Sequence, residues 1–206
     1  TSRSIMWFRQ DLRLSDNPAL VAAANSAKLL PVYILDDHNS GEWAMGAASR
    51  WWLHHSLLAL SESLGGKLLV LSGDPAVLLP SLAHAVNAQS VHWNRCYEPW
   101  RIARDKGIKE ALQSDEIEVH SHNGALLWEP WQVLKKDQTP YQVFTPYYRR
   151  GCLSAVAPRA PLQAPAPLNL IDAEIPPTFR GNMGERGIVA LGLLPNIPWD
   201  RTMQST

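Results

Sequence analysis

The sequence predicts an α/β protein in which a five-stranded parallel sheet lies between two helical layers. Three observations carry this. Short apolar runs recur at 4–8 (SIMWF), 29–35 (LLPVYIL), 67–71 (KLLVL), 90–94 (SVHWN) and 116–120 (EIEVH). Segments with helical periodicity separate them, and runs that are apolar throughout are what a sheet covered on both faces requires. Strand–helix alternation with crossovers of this length produces the Rossmann-like three-layer α/β/α sandwich.

The clearest helix is 47–64, where Leu53, Leu57, Leu60 and Leu64 share one face and Gly65-Gly66 supplies the stop. Asn17-Pro18 and Asp74-Pro75 each place a capping side chain before a proline suited to a first helical turn. In the fifth run Ile117 and Val119 alternate with Glu116, Glu118, His120 and His122, the pattern of an edge strand with one wet face. The segment TPYQVFTPYYRRGC (139–152) reads as a last strand or an extended stretch entering a short helix. From 154 onward the composition changes, since six of the 16 prolines fall in 158–177, which favours extended chain. The predicted division is an α/β unit over 1–153 and a proline-rich linker over 154–206 that buries little apolar area.

Composition narrows the functional classes. Nineteen Lys and Arg balance 19 Asp and Glu, so no overall positive field draws the chain to nucleic acid or to an anionic membrane. No apolar stretch reaches the length of a membrane span. Cys96 and Cys152 show neither a CxxC pair nor a secretory leader ahead of them, which points to reduced thiols in the cytoplasm. His120-x-His122 is too sparse for a metal site, and His54-His55 reads as a half-exposed pair, so no metal ligand is assigned. Arg101, Arg104, Lys106 and Lys109 read as a solvated helix face laced by Arg101–Asp105 and Lys106–Glu110 pairs.

Charge gathers at one place. In IMWFRQDLRLSDNPAL the first strand ends in Arg9, Asp11 and Arg13. Ligands of parallel α/β sheets bind at the carboxyl ends of strands, yet this turn lacks the glycines of a dinucleotide fingerprint. Leu35, Asp36 and Asp37 end the second strand on the same sheet edge. The start of the next helix offers Gly46, Ser49, Arg50 and Trp52, with small residues and backbone N–H groups. Trp51 and Trp52 are adjacent and point in different helical directions, so only one of them can face a pocket.

The segment WFRQDLRLSDNPAL resembles the opening of the DNA photolyase/cryptochrome family. The resemblance continues through PVYILDD (31–37), GAASRWWLHHSLLAL (46–60), NRCYEPWRIARDKGI (94–108), TPYQVFTPYYRR (139–150) and LGLLPNIPWD (191–200). It implies an amino-terminal antenna-chromophore domain, a connecting loop, and a helical domain that would hold FAD and the DNA lesion and that this chain stops short of. The implied role is that of the antenna half of a light-driven deoxyribodipyrimidine photolyase, or of a cryptochrome that senses light without repair. A nucleotide-binding α/β module unrelated to light ranks below both. The resemblance further implies that damaged DNA is a partner only through the helical domain, that this domain is the chain's intramolecular partner, and that no residue here is catalytic. By analogy Arg9 faces the antenna crevice, with Leu35, Asp36, Asp37, Gly46, Ser49, Arg50, Trp52, Glu98 and Arg101 around it, while Asp11 and Arg13 brace the first loop. Where folate-using members carry an acceptor-rich Asn-Glu pair, this chain reads Pro99-Trp100-Arg101, so a deazaflavin or flavin is expected ahead of folate.

Overall fold

In the computed structural model, which describes residues 2–26, 28–171, 175–197 and 199–201, five strands form one all-parallel sheet in the order β3-β2-β1-β4-β5. They are β1 (Arg3–Phe8), β2 (Lys28–Leu35), β3 (Leu69–Ser72), β4 (Ser90–Asn94) and β5 (Glu118–His122). The crossover helices are α1 (Pro18–Ala23), α2 (Ala47–Ser63), α3 (Pro75–Ala85) and α4 (Pro99–Ser114). Their caps form as the sequence dictates: Asn17 accepts from the Leu20 N–H, Asp74 accepts from the Ala76 N–H, and Gly65 and Gly66 take φ of +62° and +77° after α2.

Strand alternation sorts the core into two faces. Ile5, Trp7, Val32, Ile34 and Val91 pack against Leu79 and Leu82 of α3 and Ile108 and Leu112 of α4. Met6, Phe8, Tyr33 and Leu35 pack against Leu20 of α1 and Leu53, Leu57 and Leu60 of α2. This is the predicted sandwich. The fifth strand starts two residues later than its apolar pattern suggests, because Glu116 adopts a left-handed φ of +59° that keeps the end of α4 turning until Ile117. Residues 139–143 are extended and lead into irregular helical turns over 144–154, the second of the two readings of that segment. His54 departs from expectation: it is buried, and burial, aided by neighbouring His55, lowers its pKa.

The larger correction concerns the tail. Residues 155–165 run extended, but Ile171, Ile175, Ile188 and Leu193 are all buried and join the two core faces. Leu170 bridges Leu29 in parallel, with Ile171 N–H donating to the Leu29 carbonyl at 2.8 Å. Met183 bridges Leu69, and the Val70 N–H donates to the Asn182 carbonyl at 2.9 Å, so the tail covers the otherwise open edge of β3. Gly184, at φ +57°, makes the turn that returns its N–H to the Leu68 carbonyl at 2.8 Å. Prolines spaced through 158–177 hid this docking, since they break the periodicity by which buried elements are recognised. The rest of the predicted linker, 172–174, 198 and 202–206, lies outside the described residues.

At the β4–β5 edge three imidazoles stack: His92 lies 4.8 Å from His120 and 5.9 Å from His122 between ring centroids. Burial, with a smaller contribution from the two neighbouring imidazoles, pushes His92 down to about 4. A histidine neutral in the fold but protonated near pH 6.5 when unfolded makes unfolding take up a proton, so its stabilisation is complete above pH 6.5 and falls away towards pH 4. Wild type should lose about 2 kcal/mol more than His92→Gln between pH 7 and 4.5, allowing for screening at this partly wet edge. Urea midpoints measured across that range test this, and parallel curves for the two proteins would remove His92 as the cause.

Candidate chromophore cleft

The carboxyl ends of β1 and β2 open into a cleft of about 980 Å³ between α2 and α4. Period-two alternation continues past the last strand residues and sets its chemistry. Arg9 and Asp36 emerge on the α4 side, following Trp7 and Ile34, while Asp37 emerges on the α2 side, following Leu35. Each then meets its counterpart. Arg104 Nη1 reaches Asp36 Oδ2 at 2.8 Å, and Arg50 Nη2 reaches Asp37 Oδ2 at 2.8 Å.

The α4 side is a buried ionic chain. Arg9 donates to Asp105 and to the Asn94 carbonyl, and Asp105 also accepts from Arg104 Nη2 at 2.8 Å. Indoles and guanidinium groups alternate beside it. The Arg9 guanidinium lies 4.9 Å from the Trp7 ring centre and 5.9 Å from that of Trp93, and Arg104 lies 5.1 Å from Trp7 and 5.2 Å from Trp100. Burial alone would raise the Asp36 carboxyl, but hydrogen bonds from Arg104 and Asn39 outweigh it and hold the pKa below the ordinary value. Burial likewise opposes the Arg104 charge, and the fields of Asp105 and Asp36 overcome it.

Arg9, Leu35, Asp36, Asp37, Ser49, Trp52 and Arg101 all line the cleft. Gly46, Arg50 and Glu98 stand behind its walls: Arg50 holds Asp37, the Gly46 carbonyl accepts from the Arg50 N–H at 3.0 Å, and Glu98 pairs with Arg101 at 3.4 Å. Trp52 is 70% exposed at the rim, opposite in role to Trp51, whose Nε1 donates to Asp200 at 2.9 Å. Trp43, 81% exposed, stands at the same cleft. Asp11 and Arg13 brace the loop. Asp11 accepts from the Arg9 N–H at 2.9 Å and from Asn94, and Arg13 donates to the carbonyls of Asp16 and Gly124 at 2.8 and 2.6 Å.

Sequence reasoning missed Arg104, Trp7, Tyr33 and Trp100. The helix face read as solvated holds Arg104 with a side chain only 9% exposed, and Asp105 pairs with Arg9 and Arg104 rather than with Arg101. Lys106–Glu110 is the expected surface pair, at 3.9 Å. The charge at Asp36 was the available signal for Arg104, because a carboxylate ending a buried strand needs a cation from the helix above it.

A family model described as DNA photolyase matches residues 4–167. The chain belongs to the photolyase/cryptochrome family. It is 43% identical over 172 residues to a deoxyribodipyrimidine photo-lyase of Agrobacterium fabrum, covering 82% of this chain and 35% of that one. It is 38% identical over 155 residues to Cryptochrome-2 of Arabidopsis thaliana, covering 73% and 25%. A bacterial class III photolyase from Agrobacterium tumefaciens superposes with a TM-score of 0.85 and 38% identity over 100% of this chain and 41% of that one. The archaeal photolyase from Sulfolobus tokodaii, solved with two FAD molecules, shares the fold at a TM-score of 0.71, 21% identity and 96% and 43% coverage. The chain thus corresponds to the amino-terminal α/β domain of photolyases and cryptochromes, and spans a quarter to about a third of the length of these curated relatives. No helix among the described residues is long and apolar enough to cross a membrane.

Proposed function

We propose that this chain is the antenna-chromophore domain of a light-driven photolyase that repairs pyrimidine dimers in DNA. The observation that carries the reading is the cleft at the β1–β2 carboxyl edge, with paired arginines behind it and exposed tryptophans at its rim. A flat heteroaromatic ring suits those surfaces: indole faces offer apolar area, and guanidinium groups stack on aromatic rings as well as pairing with anions. The four cleft arginines are themselves engaged, Arg9 by Asp105, Arg104 by Asp36 and Asp105, Arg101 by Glu98 and Arg13 by the Asp16 and Gly124 carbonyls, so the walls are polar but charge-balanced and suit a polar ring without requiring a net charge on it.

The carboxylates are already engaged, Asp36 by Arg104 and Asn39 and Asp37 by Arg50. The arginines are engaged as well, but Trp7 Nε1, Arg9 Nε and Arg101 Nε have no acceptor, so an occupant finds donors more readily than acceptors. The dione edge of a flavin or deazaflavin supplies two ring carbonyls, whereas a pterin presents one carbonyl beside an amino group, so deazaflavin or flavin stands ahead of folate. Titrating the chain with a deazaflavin, FMN and a methenyl-folate, followed by absorbance and fluorescence, should give saturable one-to-one binding in that order of affinity. Tightest binding by folate would overturn the ligand order, and binding of none of the three would overturn the antenna reading.

In the parent protein, on this reading, residues 1–153 form the antenna unit and 154–206 the connector to a helical domain that carries FAD and reaches damaged DNA. Exposed apolar side chains gather between 126 and 156, at Leu127, Trp131, Val143, Phe144, Leu153 and Val156, as a docked domain would require. A cytoplasmic location accords with two buried cysteines, Cys96 and Cys152, that form no disulfide with each other. The plant cryptochrome likeness supports light sensing without repair as the second reading. Dimer repair by the whole protein under near-ultraviolet light separates the two.

A further inference from the structure

Among the described residues lining the cleft, the fully buried side-chain polar atoms left without a partner are donors. Trp7 Nε1, Arg9 Nε and Arg101 Nε are buried with no hydrogen-bond acceptor. Tyr33 adds a donor that opens onto the cleft itself. It is only 6% exposed, lines the cleft, and its hydroxyl makes no hydrogen bond with the described residues. Water can satisfy this hydroxyl while the cleft is open, but an occupant that expels that water must accept its hydrogen bond or leave it unpaired at a cost of roughly 1–3 kcal/mol.

Tyr33 reaches this position through strand geometry. Its neighbours Val32 and Ile34 face α3 and α4, while Tyr33 faces α2, two residues before Leu35 at the cleft floor. The groups around it are fixed by their own contacts: Asp36 by Arg104, Asp37 by Arg50, and Arg101 by Glu98. Burial raises the phenol well above its ordinary pKa, outweighing the nearby Arg101 charge, so it stays a neutral donor throughout the physiological range.

We infer that Tyr33 is the residue that selects the cleft's ligand, its hydroxyl donating a hydrogen bond to a ring carbonyl or imine nitrogen on the chromophore's acceptor edge. The inference rests on the antenna reading and adds to it the orientation of the ring: acceptor edge inward to Tyr33, remaining edge towards Trp43 and Trp52 at the rim. A chromophore whose inner edge carries an amino group in place of an acceptor would leave the hydroxyl unpaired and bind more weakly.

Tyr33→Phe tests this in the 206-residue chain. Removing a hydroxyl that bonds none of the described residues should leave Tm unchanged or slightly raised. Affinity for whichever of deazaflavin, FMN or methenyl-folate binds wild type should fall about tenfold, and the visible band of the bound chromophore should shift because its ring acceptor loses a donor. Equal affinity and an unshifted band in Tyr33→Phe would overturn the role of Tyr33 while leaving the antenna reading in place. A drop in Tm matching the loss of affinity would overturn it too, by making the hydroxyl structural. Failure of wild type to bind any of the three would overturn the antenna reading and this inference together.

Discussion

Deleting residues 168–206 should unfold the domain. The deletion uncovers the cavities filled by Ile171, Ile175, Ile188 and Leu193, each of them at most 3% exposed. At about 1.5–3 kcal/mol for each fully buried aliphatic side chain, the loss is roughly 6–12 kcal/mol as an upper estimate. A domain of this kind is stable by only about 5–15 kcal/mol. The deletion also strips the Asn182 and Met183 contacts from β3 and exposes a strand edge that can pair with other chains. The truncated protein should therefore be recovered as aggregate, or show no cooperative urea transition. Single substitutions grade the effect: Ile171→Ala and Ile188→Ala should each cost about 2–5 kcal/mol. An unchanged urea midpoint in the truncated chain would restore the tail to the status of a passive linker.

What the sequence discloses here follows from how local each cause is. The five strands and α2 are legible because each is specified by its own apolar pattern, and the caps at Asn17 and Asp74 by their own side chains. The cleft is partly legible for a related reason: strand ends gather at one sheet edge, so Arg9, Leu35, Asp36 and Asp37 meet whatever the helices do. Trp7 and Tyr33 were hidden inside apolar runs that look like core, and their rings are indeed core; only their polar atoms concern the cleft. Arg104 was hidden by arithmetic along its own helix, which offered Asp105 to Arg101 and knew nothing of Arg9 arriving from β1. The docking of Ile171 and Ile175 depends on the open edges of β2 and β3, a tertiary fact that a proline-rich segment does not announce. Its one local trace is Leu168-Asn169-Leu170-Ile171, a short apolar run of the kind that pairs with an edge.

Arg104→Met should be the most damaging single change at the cleft. Arg104 gives Asp36 its cation and shares Asp105 with Arg9. Asp105 keeps Arg9 after the change, but Asp36, with a side chain 7% exposed, keeps only Asn39. Leaving one member of a buried pair unpartnered costs about 3–5 kcal/mol, more than the pair itself contributes, because the desolvation of the remaining charge is no longer offset. The pH dependence has a definite sign. In wild type the Asp36 pKa is held down, so its stabilisation is present above the unfolded value near 4 and is lost only as pH falls through the depressed folded value. In Arg104→Met burial dominates and raises the carboxyl above its unfolded value, so the penalty is full at neutral pH and shrinks as the acid protonates. The gap in stability between the two proteins should thus narrow from pH 7 towards pH 4. Adding Asp36→Asn to Arg104→Met should recover at least half of the neutral-pH loss and flatten the pH dependence, since it removes the stranded charge. On the antenna reading, chromophore affinity should fall in both the single and the double variant, because Arg104 also forms part of the cleft wall. Urea titrations at several pH values read the first two outcomes; a double variant no more stable than Arg104→Met would show that Asp36 is not the group Arg104 neutralises.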